Sequence, residues 1–450
     1  MKRIVALLLS LLFLLPLVSC TKNKPVVPNE TAAPNVTAEL SETPEGTEAV
    51  PDNTPEAGIA ATPEPLPAGI DFSYSFDPNT DCTATGAYFT GSLAESEEVY
   101  YWKKVDSGYL FYAEKDGTDY GALCGKPECI HELGENNCSA LIGCSPLSEI
   151  YVYDGGIYFM SGSRAADGQY LDTVFHMGLD GTNHKSLLVA GDEDTALQRF
   201  YVHRGNAFFT AETAFVSFGE PLVRLEFLCG ELEGKEVKTV FEKTVPEDQG
   251  YNFAAGFFGK YALFIVSLYD LSDSIAVNEL YAYDPESDRL YLVASQEDCD
   301  FSIWNVYVTE EGGIYVSPYD SNPELQACVY KVEEGRFVKQ FEFEGEDFVG
   351  VTTYIIGGYA ITLKADWEVE GTDTIWIKDL EGNTVYNGPL TRHFLEGREN
   401  STVSRKAMTV CGNTVVFEYD GWLADDPNRS ILVGYEITEN GLVETTLAEY

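Results

Sequence analysis

The segment Tyr151-Val-Tyr-Asp-Gly-Gly-Ile-Tyr-Phe159 places two short apolar and aromatic runs on either side of an Asp-Gly-Gly turn. Tyr, Val, Ile and Phe favour the pleated surface of a strand. Asp and Gly accept the positive φ angles that a tight hairpin turn of the primed type requires. The segment therefore predicts a β-hairpin, and it is the clearest copy of a pattern that recurs along the chain.

Related hairpins follow at regular distances. They lie at 201–209, 257–264, 306–316, 354–362 and 409–417, with a weaker first copy around Gly86. Second hairpins come after them, at 175–183, 280–286, 329–335, 375–383 and 433–441. Four strands in a period of about 50 residues are typical of a propeller blade. The pattern predicts an all-β chain, a β-propeller of seven four-stranded blades. Two or three β-sandwich domains are the alternative, but no polar or Pro-rich linker interrupts residues 70–450.

The N-terminus has the features of an export signal. Met1-Lys2-Arg3 is basic, and the apolar run 4–18 is shorter than the roughly 20 residues that a membrane helix needs. It ends in Leu17-Val18-Ser19-Cys20, which resembles the bacterial lipobox, the motif whose cysteine is lipidated. We expect a signal peptide over 1–19 and a lipid anchor on Cys20. The alternative is an ordinary secretory signal with a chance cysteine.

A segment without aromatic residues follows the predicted anchor. Residues 20–69 are rich in Pro, Thr and Glu and show no apolar period, so we expect a disordered linker before the propeller. Lys and Arg number 28 against 73 Asp and Glu, a net charge of −45. That charge argues against a nucleic-acid partner, because phosphate binding needs basic patches. Contact with the membrane is expected through the lipid anchor alone, on the outer face of the cell membrane.

A cluster of cysteines occupies a predicted insert at 124–144. It reads Cys124-x₄-Cys129-x-His131-x₆-Cys138-x₅-Cys144. Three interpretations stay open: two disulfides, a tetrahedral zinc site of Cys124, Cys129, His131 and Cys138, or reduced thiols. In each case we expect a structural role beside the first blade. Cys229, Cys328 and Cys411 stand in apolar strand contexts and read as small buried hydrophobic residues.

The connections between the second and third strands of the blades are predicted to be long and dissimilar. They fall near 161–172, 211–221, 268–277, 317–325, 364–374 and 418–429. Several begin with an aromatic residue beside a carboxylate, and these candidate ligand-face residues are Tyr269, Asp270, Tyr319, Asp320, Asp366, Trp367, Tyr419, Asp420 and Trp422. Such pairs could stack on a sugar ring or a cation, or hold Ca²⁺. In the alternative interpretation each Asp caps a turn and each Tyr ends a half-buried strand.

Taken together, these motifs resemble those of bacterial β-propeller lipoproteins of uncharacterised function from Gram-positive anaerobes, with TolB-like or YWTD-like blades. The likeness is carried by Cys20, the hairpin around Asp154, the Leu179-Asp180-Gly181 turn and the run from Leu123 to His131. It implies a propeller fold and a location on the cell surface. It implies almost nothing about a ligand.

Sequence motifs of catalysis are missing. There is no G-x-S-x-G elbow, HExxH, EF-hand loop or complete P-loop, and we predict no catalytic residue. The leading prediction is a non-catalytic module that binds an extracellular ligand such as a glycan, a peptide or an envelope protein. The alternatives are an extracellular enzyme that acts on polysaccharide through carboxylates at the channel mouth, and an envelope assembly factor.

Overall fold

The computed structural model describes residues 62–77, 79–81, 93–104, 108–131, 138–142, 149–164, 169–192, 197–269, 276–319, 327–345, 348, 351–364, 373–397, 402–423 and 426–449. In these residues the chain forms seven four-stranded antiparallel sheets, each made of consecutive strands. The prediction of a seven-bladed all-β propeller is confirmed. The described segments include one 3₁₀ turn, His393–Leu395, and no helix with the length and apolar character that a membrane span needs.

The strands are numbered along the chain. The first, β1, is Glu64–Pro65, and the first four blades follow as β2 (Leu93–Glu95), β3 (Val99–Lys104), β4 (Tyr109–Glu114), β5 (Tyr120–Ala122); β6 (Ile150–Tyr153), β7 (Gly156–Arg164), β8 (Tyr170–Gly178), β9 (Lys185–Asp192); β10 (Leu197–His203), β11 (Asn206–Ser217), β12 (Glu220–Glu231), β13 (Val237–Pro246); β14 (Gly250–Phe258), β15 (Tyr261–Tyr269), β16 (Ala276–Asp284) and β17 (Arg289–Cys299).

Three further blades complete the ring. Their strands are β18 (Ser302–Val308), β19 (Ile314–Tyr319), β20 (Cys328–Glu333), β21 (Arg336–Glu342); β22 (Thr353–Ile356), β23 (Tyr359–Lys364), β24 (Thr374–Asp379), β25 (Thr384–Pro389); β26 (Thr402–Cys411), β27 (Thr414–Leu423), β28 (Asp426–Thr438) and β29 (Gly441–Glu449). The first strands of several neighbouring blades contact one another, so the first strand of each blade faces the centre of the ring.

The turns between the first two strands of a blade have the backbone geometry that the sequence predicted. Asp154 and Gly155 adopt φ angles of 44° and 68°, and Arg204 and Gly205 adopt 45° and 73°. Two successive residues with positive φ are the mark of a type I′ hairpin, whose twist matches that of the strands. This local geometry explains why the Asp-Gly-Gly pattern located the blades.

The outer edge of the blades shares a second feature. In blades two to seven the pairing of the third and fourth strands is interrupted by a register shift, for example between Phe227 and Leu228 and between Val329 and Tyr330. A β-bulge bends a strand and increases its local twist. The bulges therefore add twist at the outer edge of these six blades.

The ring is held by apolar contacts between neighbouring blades. Blades one and two share a cluster that includes Leu110 and Ile157, and similar clusters join the other neighbours. Blade seven meets blade one through Leu447, Val416 and the fully buried Trp102. Every blade is made of consecutive strands, so blades one and seven share no strand. Closure of the ring therefore depends on side-chain packing at this seam.

An N-terminal strap, residues 62–81 with residue 78 outside the described part, lies against blades three to five. Its strand β1 pairs in parallel with β17 at the outer edge of blade four, and Phe72 packs against Tyr261 with ring centroids 5.0 Å apart. Asp81 is buried and accepts from Arg204 Nε at 2.6 Å. Part of the segment predicted as linker, 62–69, thus contacts the propeller. The apolar residues Leu66 and Ile70 supply the reason, since they pack on the core of blades four and five.

Two of the predicted connections are much shorter than expected. Residues 211–221 are mostly strand, because β11 and β12 are joined by the two-residue turn Phe218-Gly219 with φ angles of 52° and 88°. Strands β27 and β28 likewise reach far into 418–429. The weaker first copy around Gly86 lies outside the described residues, and the first hairpin of blade one is β2–β3. In these places the polar and Gly-containing residues belong to the ends of strands, whereas their composition is typical of loops.

The seam between blades one and seven yields a stability prediction. Trp102→Ala removes a fully buried indole that stacks on Phe111 with ring centroids 5.9 Å apart. We expect the free energy of unfolding in urea to fall by roughly 3–5 kcal/mol, as for other buried aromatic truncations. Phe218→Ala, at an exposed hairpin tip, is the matched control and should change it by less than about 0.5 kcal/mol. Equal effects of the two substitutions would contradict this account of the ring.

Candidate functional site

Four side chains that commonly bind metal ions converge in the segment after β5. The sulfur atoms of Cys124, Cys129 and Cys138 and a ring nitrogen of His131 all lie within 4.8 Å of one another. Cys138 Sγ lies 3.5 Å from His131 Nδ1. The three cysteines carry free thiols and are not joined in disulfides. The structure thus brings together the four residues that the zinc interpretation names, while Cys144 lies outside the described residues.

The segment is held in place by backbone hydrogen bonds to blade one. Leu123 N–H donates to the Leu110 carbonyl at 2.9 Å, and Leu110 N–H donates to the Ala140 carbonyl at 2.8 Å. Residues on both sides of the cluster are therefore tied to the same strand, β4. That strand acts as the base on which Cys124 and Cys138 are brought together.

The cluster also packs closely against blade two. A Cβ atom placed on Gly125 would lie 2.4 Å from Thr182 Cγ2, and one placed on Gly181 would lie 2.7 Å from the Leu123 carbonyl. Gly181 belongs to the turn between β8 and β9, with a φ angle of 74°. Two glycines are needed here because the two backbones nearly touch. The Leu179-Asp180-Gly181 turn and the cysteine segment therefore form one structural unit.

Hydrogen bonds favour a thiolate at Cys124. Burial opposes its ionisation, but Ser139 Oγ donates to Cys124 Sγ at 3.1 Å, and the backbone N–H groups of Lys126 and Ser139 also contribute, so that its pKa falls to about 6. Burial and the neighbouring sulfur atoms of Cys129 and Cys124 raise the pKa of Cys138 to about 12. Because the thiolate is the form of cysteine that binds metal ions, the lowered pKa favours metal binding by Cys124. No sequence pattern indicates this role of Ser139.

His131 is the exposed member of the cluster, and its backbone lies in the left-handed region. It adopts a φ angle of 56°, which is uncommon for residues other than glycine, although His, like Asn and Asp, enters this region more often than most. Such conformations concentrate where surrounding structure holds a side chain in a required position. At this position a ring nitrogen of His131 lies within 4.8 Å of the three sulfur atoms.

The remaining described cysteines are not near this cluster. Cys229 and Cys328 are buried, as predicted, and so is Cys299. Cys411 is only partly buried, and Lys115 Nζ donates to its sulfur at 3.1 Å across the seam between blades one and seven. It therefore contributes a polar contact in addition to packing.

Most of the predicted ligand-face residues cannot be placed. Asp270, Asp320, Asp366 and Trp367 lie outside the described residues, and the side chains of Tyr319, Asp420 and Trp422 do as well. Tyr269 is partly buried at the end of β15, where its ring covers Gly250. Tyr419 is fully buried, and its ring lies under the guanidinium of Arg392. A ligand face built from these residues, with or without Ca²⁺, stays a prediction.

Sequence reasoning missed two partly buried carboxyl groups. Glu149 lies directly before β6 and accepts from Tyr151 Oη, and Glu212 belongs to β11 and accepts from Tyr251 Oη at Oε2 over 2.7 Å. Burial raises the pKa of both glutamates, an effect that the nearby Arg199 only partly offsets. Both lie near Arg199 although they are far apart in sequence.

The comparisons with known proteins find no close relative. No protein-family model matches the chain, and no curated protein is significantly similar to it. Among solved structures, puromycin hydrolase aligns with 87% of this chain and 57% of its own at 12% identity and a TM-score of 0.46. Acylaminoacyl peptidase from Pyrococcus horikoshii aligns with 81% and 54% at 10% identity and a TM-score of 0.45. The β-propeller domain of the Trilobed protease from Pyrococcus furiosus aligns with 66% of this chain and with 93% of its own length. The sequence identity is 11% and the TM-score is 0.36.

The chain spans about half the length of the hydrolase and the acylaminoacyl peptidase. These matches correct one prediction from the sequence. The chain was expected to be a non-catalytic ligand- or protein-binding module, and that statement is wrong, because the matching structures are those of a hydrolase and of peptidases. The same likenesses are too distant to assign an activity to this chain.

The carboxyl group of Glu212 yields a prediction on pH dependence. Below about pH 4.5, its ordinary pKa, the group is protonated in the folded and the unfolded chain. As the pH rises the unfolded chain ionises first, so the free energy of unfolding falls until the raised pKa of the folded state is passed. Glu212→Gln keeps an oxygen that accepts from Tyr251 but cannot ionise, so it should reduce this fall.

The measurement is urea unfolding between pH 4 and pH 8 in buffers of equal ionic strength. We expect the variant to gain stability relative to the wild type as the pH rises. Glu220→Gln, in the exposed first position of β12, is the matched control and should follow the wild type. A constant difference between Glu212→Gln and wild type over the whole range would show that burial does not disfavour ionisation of this group.

Proposed function

We propose that the chain is a zinc-binding propeller, in which Cys124, Cys129, His131 and Cys138 hold one Zn²⁺. The observation that carries the proposal is the convergence of three thiol sulfurs and one imidazole nitrogen within 4.8 Å. Zinc prefers tetrahedral sites of sulfur and nitrogen ligands, with bonds of about 2.0–2.3 Å. A contraction of the cluster by side-chain rotation would bring all four atoms to such distances.

Zinc fits this donor set better than the other common ions. Thiolates are soft ligands that select zinc or iron–sulfur chemistry, whereas calcium and magnesium take oxygen ligands. Zinc does not change its oxidation state and keeps its ligands in tetrahedral geometry. The set of three cysteines and one histidine matches a known class of structural zinc sites.

The role that we propose for the ion is structural. All four coordination positions are filled by protein side chains, which leaves no open position for a substrate or an activated water. The ion would join the two sides of the loop, since Cys124 follows β5 and Cys138 precedes the residues that pair with β4. It would thereby fasten the connection between blades one and two against the Gly181 turn.

Metal analysis tests this proposal. The full chain, purified without oxygen and without chelator, should contain close to one zinc per chain. Cys129→Ser and His131→Ala should lower the zinc content well below this value and lower the melting temperature, because metal binding contributes directly to folding stability. Cys299→Ser changes a buried thiol outside the cluster and should leave the zinc content unchanged.

Two results would contradict the zinc site. One is a folded, fully reduced chain that neither contains zinc nor takes up added Zn²⁺ or Co²⁺. The other is a chain that loses its zinc equally in Cys299→Ser and in Cys129→Ser. Addition of Co²⁺ gives an independent reading, since the thiolate-to-cobalt absorption should appear in wild type and weaken when Cys129 is replaced.

We further propose that the propeller is held at the outer face of the cell membrane by acyl chains on Cys20. The proposal rests on the Leu17-Val18-Ser19-Cys20 motif after an apolar run. Each buried CH₂ group of an acyl chain contributes about 0.8 kcal/mol, so two or more chains give stable attachment.

Labelling with a palmitate analogue tests the anchor. The wild-type chain should carry label and sediment with membranes. Cys20→Ala should lose the label and move to the soluble fraction, whereas Ser19→Ala keeps a small residue before the cysteine and should behave as wild type. An unlabelled wild-type chain, or a Cys20→Ala variant that keeps the label, would overturn this localisation.

A further inference from the structure

An arginine–aspartate–arginine cluster lies where blades six and seven meet. Asp373 precedes β24, Arg392 lies in the connection from β25 to β26, and Arg405 belongs to β26. Arg392 Nη2 donates to Asp373 Oδ2 at 2.5 Å, and Arg405 Nε lies 3.7 Å from the same oxygen. The side chains of the arginines are 14% and 15% exposed, and that of Asp373 is 7% exposed.

The described part of the cluster contains two guanidinium groups and one carboxylate. Two guanidinium groups share a single carboxylate oxygen, and the buried atoms Arg392 Nε and Arg405 Nη1 have no hydrogen-bond partner. A buried donor without a partner is destabilising, and more so where the group is charged. The chain carries 73 acidic residues against 28 basic ones. Among the described residues, Asp373 alone forms ion pairs with the two arginines, and it uses one oxygen for both, so part of their donor capacity is unused.

The positions of the guanidinium groups are fixed by their surroundings. Arg392 Cζ lies 5.8 Å from the centre of the Tyr419 ring, and Tyr435 Oη donates to the carbonyl of the preceding Thr391 at 2.7 Å. Glu444 accepts from Thr391 Oγ1 and from the backbone N–H groups of His393 and Phe394, at 2.8–3.0 Å. The connection that carries Arg392 is thereby held against blade seven. A rigid donor set loses little entropy when it binds a ligand.

We propose that Arg392 and Arg405 form a binding site for the carboxylate group of a ligand. Guanidinium groups bind carboxylates through paired N–H donors, which are stronger than neutral hydrogen bonds. One carboxylate would balance the second guanidinium group of the described cluster and accept from donors that now lack a partner. A phosphate or sulfate dianion would overcompensate the charge and face Asp373 at close range. The ligand class is therefore a carboxylic acid, for which a peptide C-terminus and an acidic sugar are the two sources.

The site lies at a definite end of the propeller. Asp373 follows the connection between the second and third strands of blade six, and Arg392 lies in the connection between two blades. Both types of connection occur at the same end of the inner strands, opposite the turns between first and second strands. Neither the zinc cluster nor the anchor contributes a residue, so the proposal is independent of both.

Titration calorimetry with the full chain tests the proposal. The probes are acetate, a short peptide with a free C-terminus, the same peptide amidated, glucuronate and inorganic phosphate. We expect binding of acetate and of one or both larger acids, and no binding of the amidated peptide. Arg405→Gln should weaken the binding at least about tenfold, because it removes a charge-assisted hydrogen bond. Arg405→Lys should retain part of it, since it keeps the charge and loses the planar fork.

Arg336→Gln, which removes an exposed arginine at the start of β21, is the matched control for net charge and should bind as wild type. Melting temperatures of all variants show whether the fold is kept, and Arg405→Lys serves if Arg405→Gln does not fold. The proposal is overturned if no carboxylate binds, if phosphate alone binds, or if Arg405→Gln and Arg405→Lys lower stability while carboxylate affinity stays at the wild-type value.

Discussion

The structure depends on closing a ring of seven sheets whose first and last members share no strand. Each blade buries its two faces against its neighbours, so an open seam would expose the apolar side of blades one and seven. Trp102, Leu447 and Val416 fill this seam. Lys115 of blade one donates to Glu95 in its own blade and reaches across the seam to Cys411 of blade seven. Side-chain packing between blades one and seven therefore contributes directly to closing the ring.

How much of this architecture is predictable from sequence depends on the range of the interaction involved. The Asp154-Gly155 turn is predictable because positive φ is a property of two adjacent residues. The strap is not, since the pairing of Glu64 with Tyr291 joins residues more than two hundred positions apart. The sequence also predicts a long loop around Phe218-Gly219, and this prediction is wrong. The structure has a tight hairpin there, with an exposed aromatic residue at its tip. The conformational preferences of neighbouring residues indicate where the chain can turn. Tertiary packing determines which of these turns are tight.

The same distinction applies to the sites. Four zinc-ligand candidates lie within fifteen residues, so their spacing alone suggested the cluster. The support for the cluster was invisible in the sequence, because Gly181 in blade two and Ser139 act through contacts that only the folded chain creates. Asp373, Arg392 and Arg405 gave no signal at all. They are brought together by strand pairing in blade six and by its packing against blade seven, and no short motif records that arrangement.

The two ends of the propeller differ chemically. Residues 71–77 and 79–81 run along the turns between first and second strands in blades five to three, where Tyr74 N–H donates to the Glu310 carbonyl and Arg204 N–H donates to the Thr80 carbonyl. The carboxyl groups of Glu149 and Glu212 and the pair Arg392 and Arg405 belong to the opposite end of the inner strands. A ligand carboxylate at Arg392 and Arg405 would therefore bind at the end opposite these contacts, so the strap and the proposed site do not compete for the same surface.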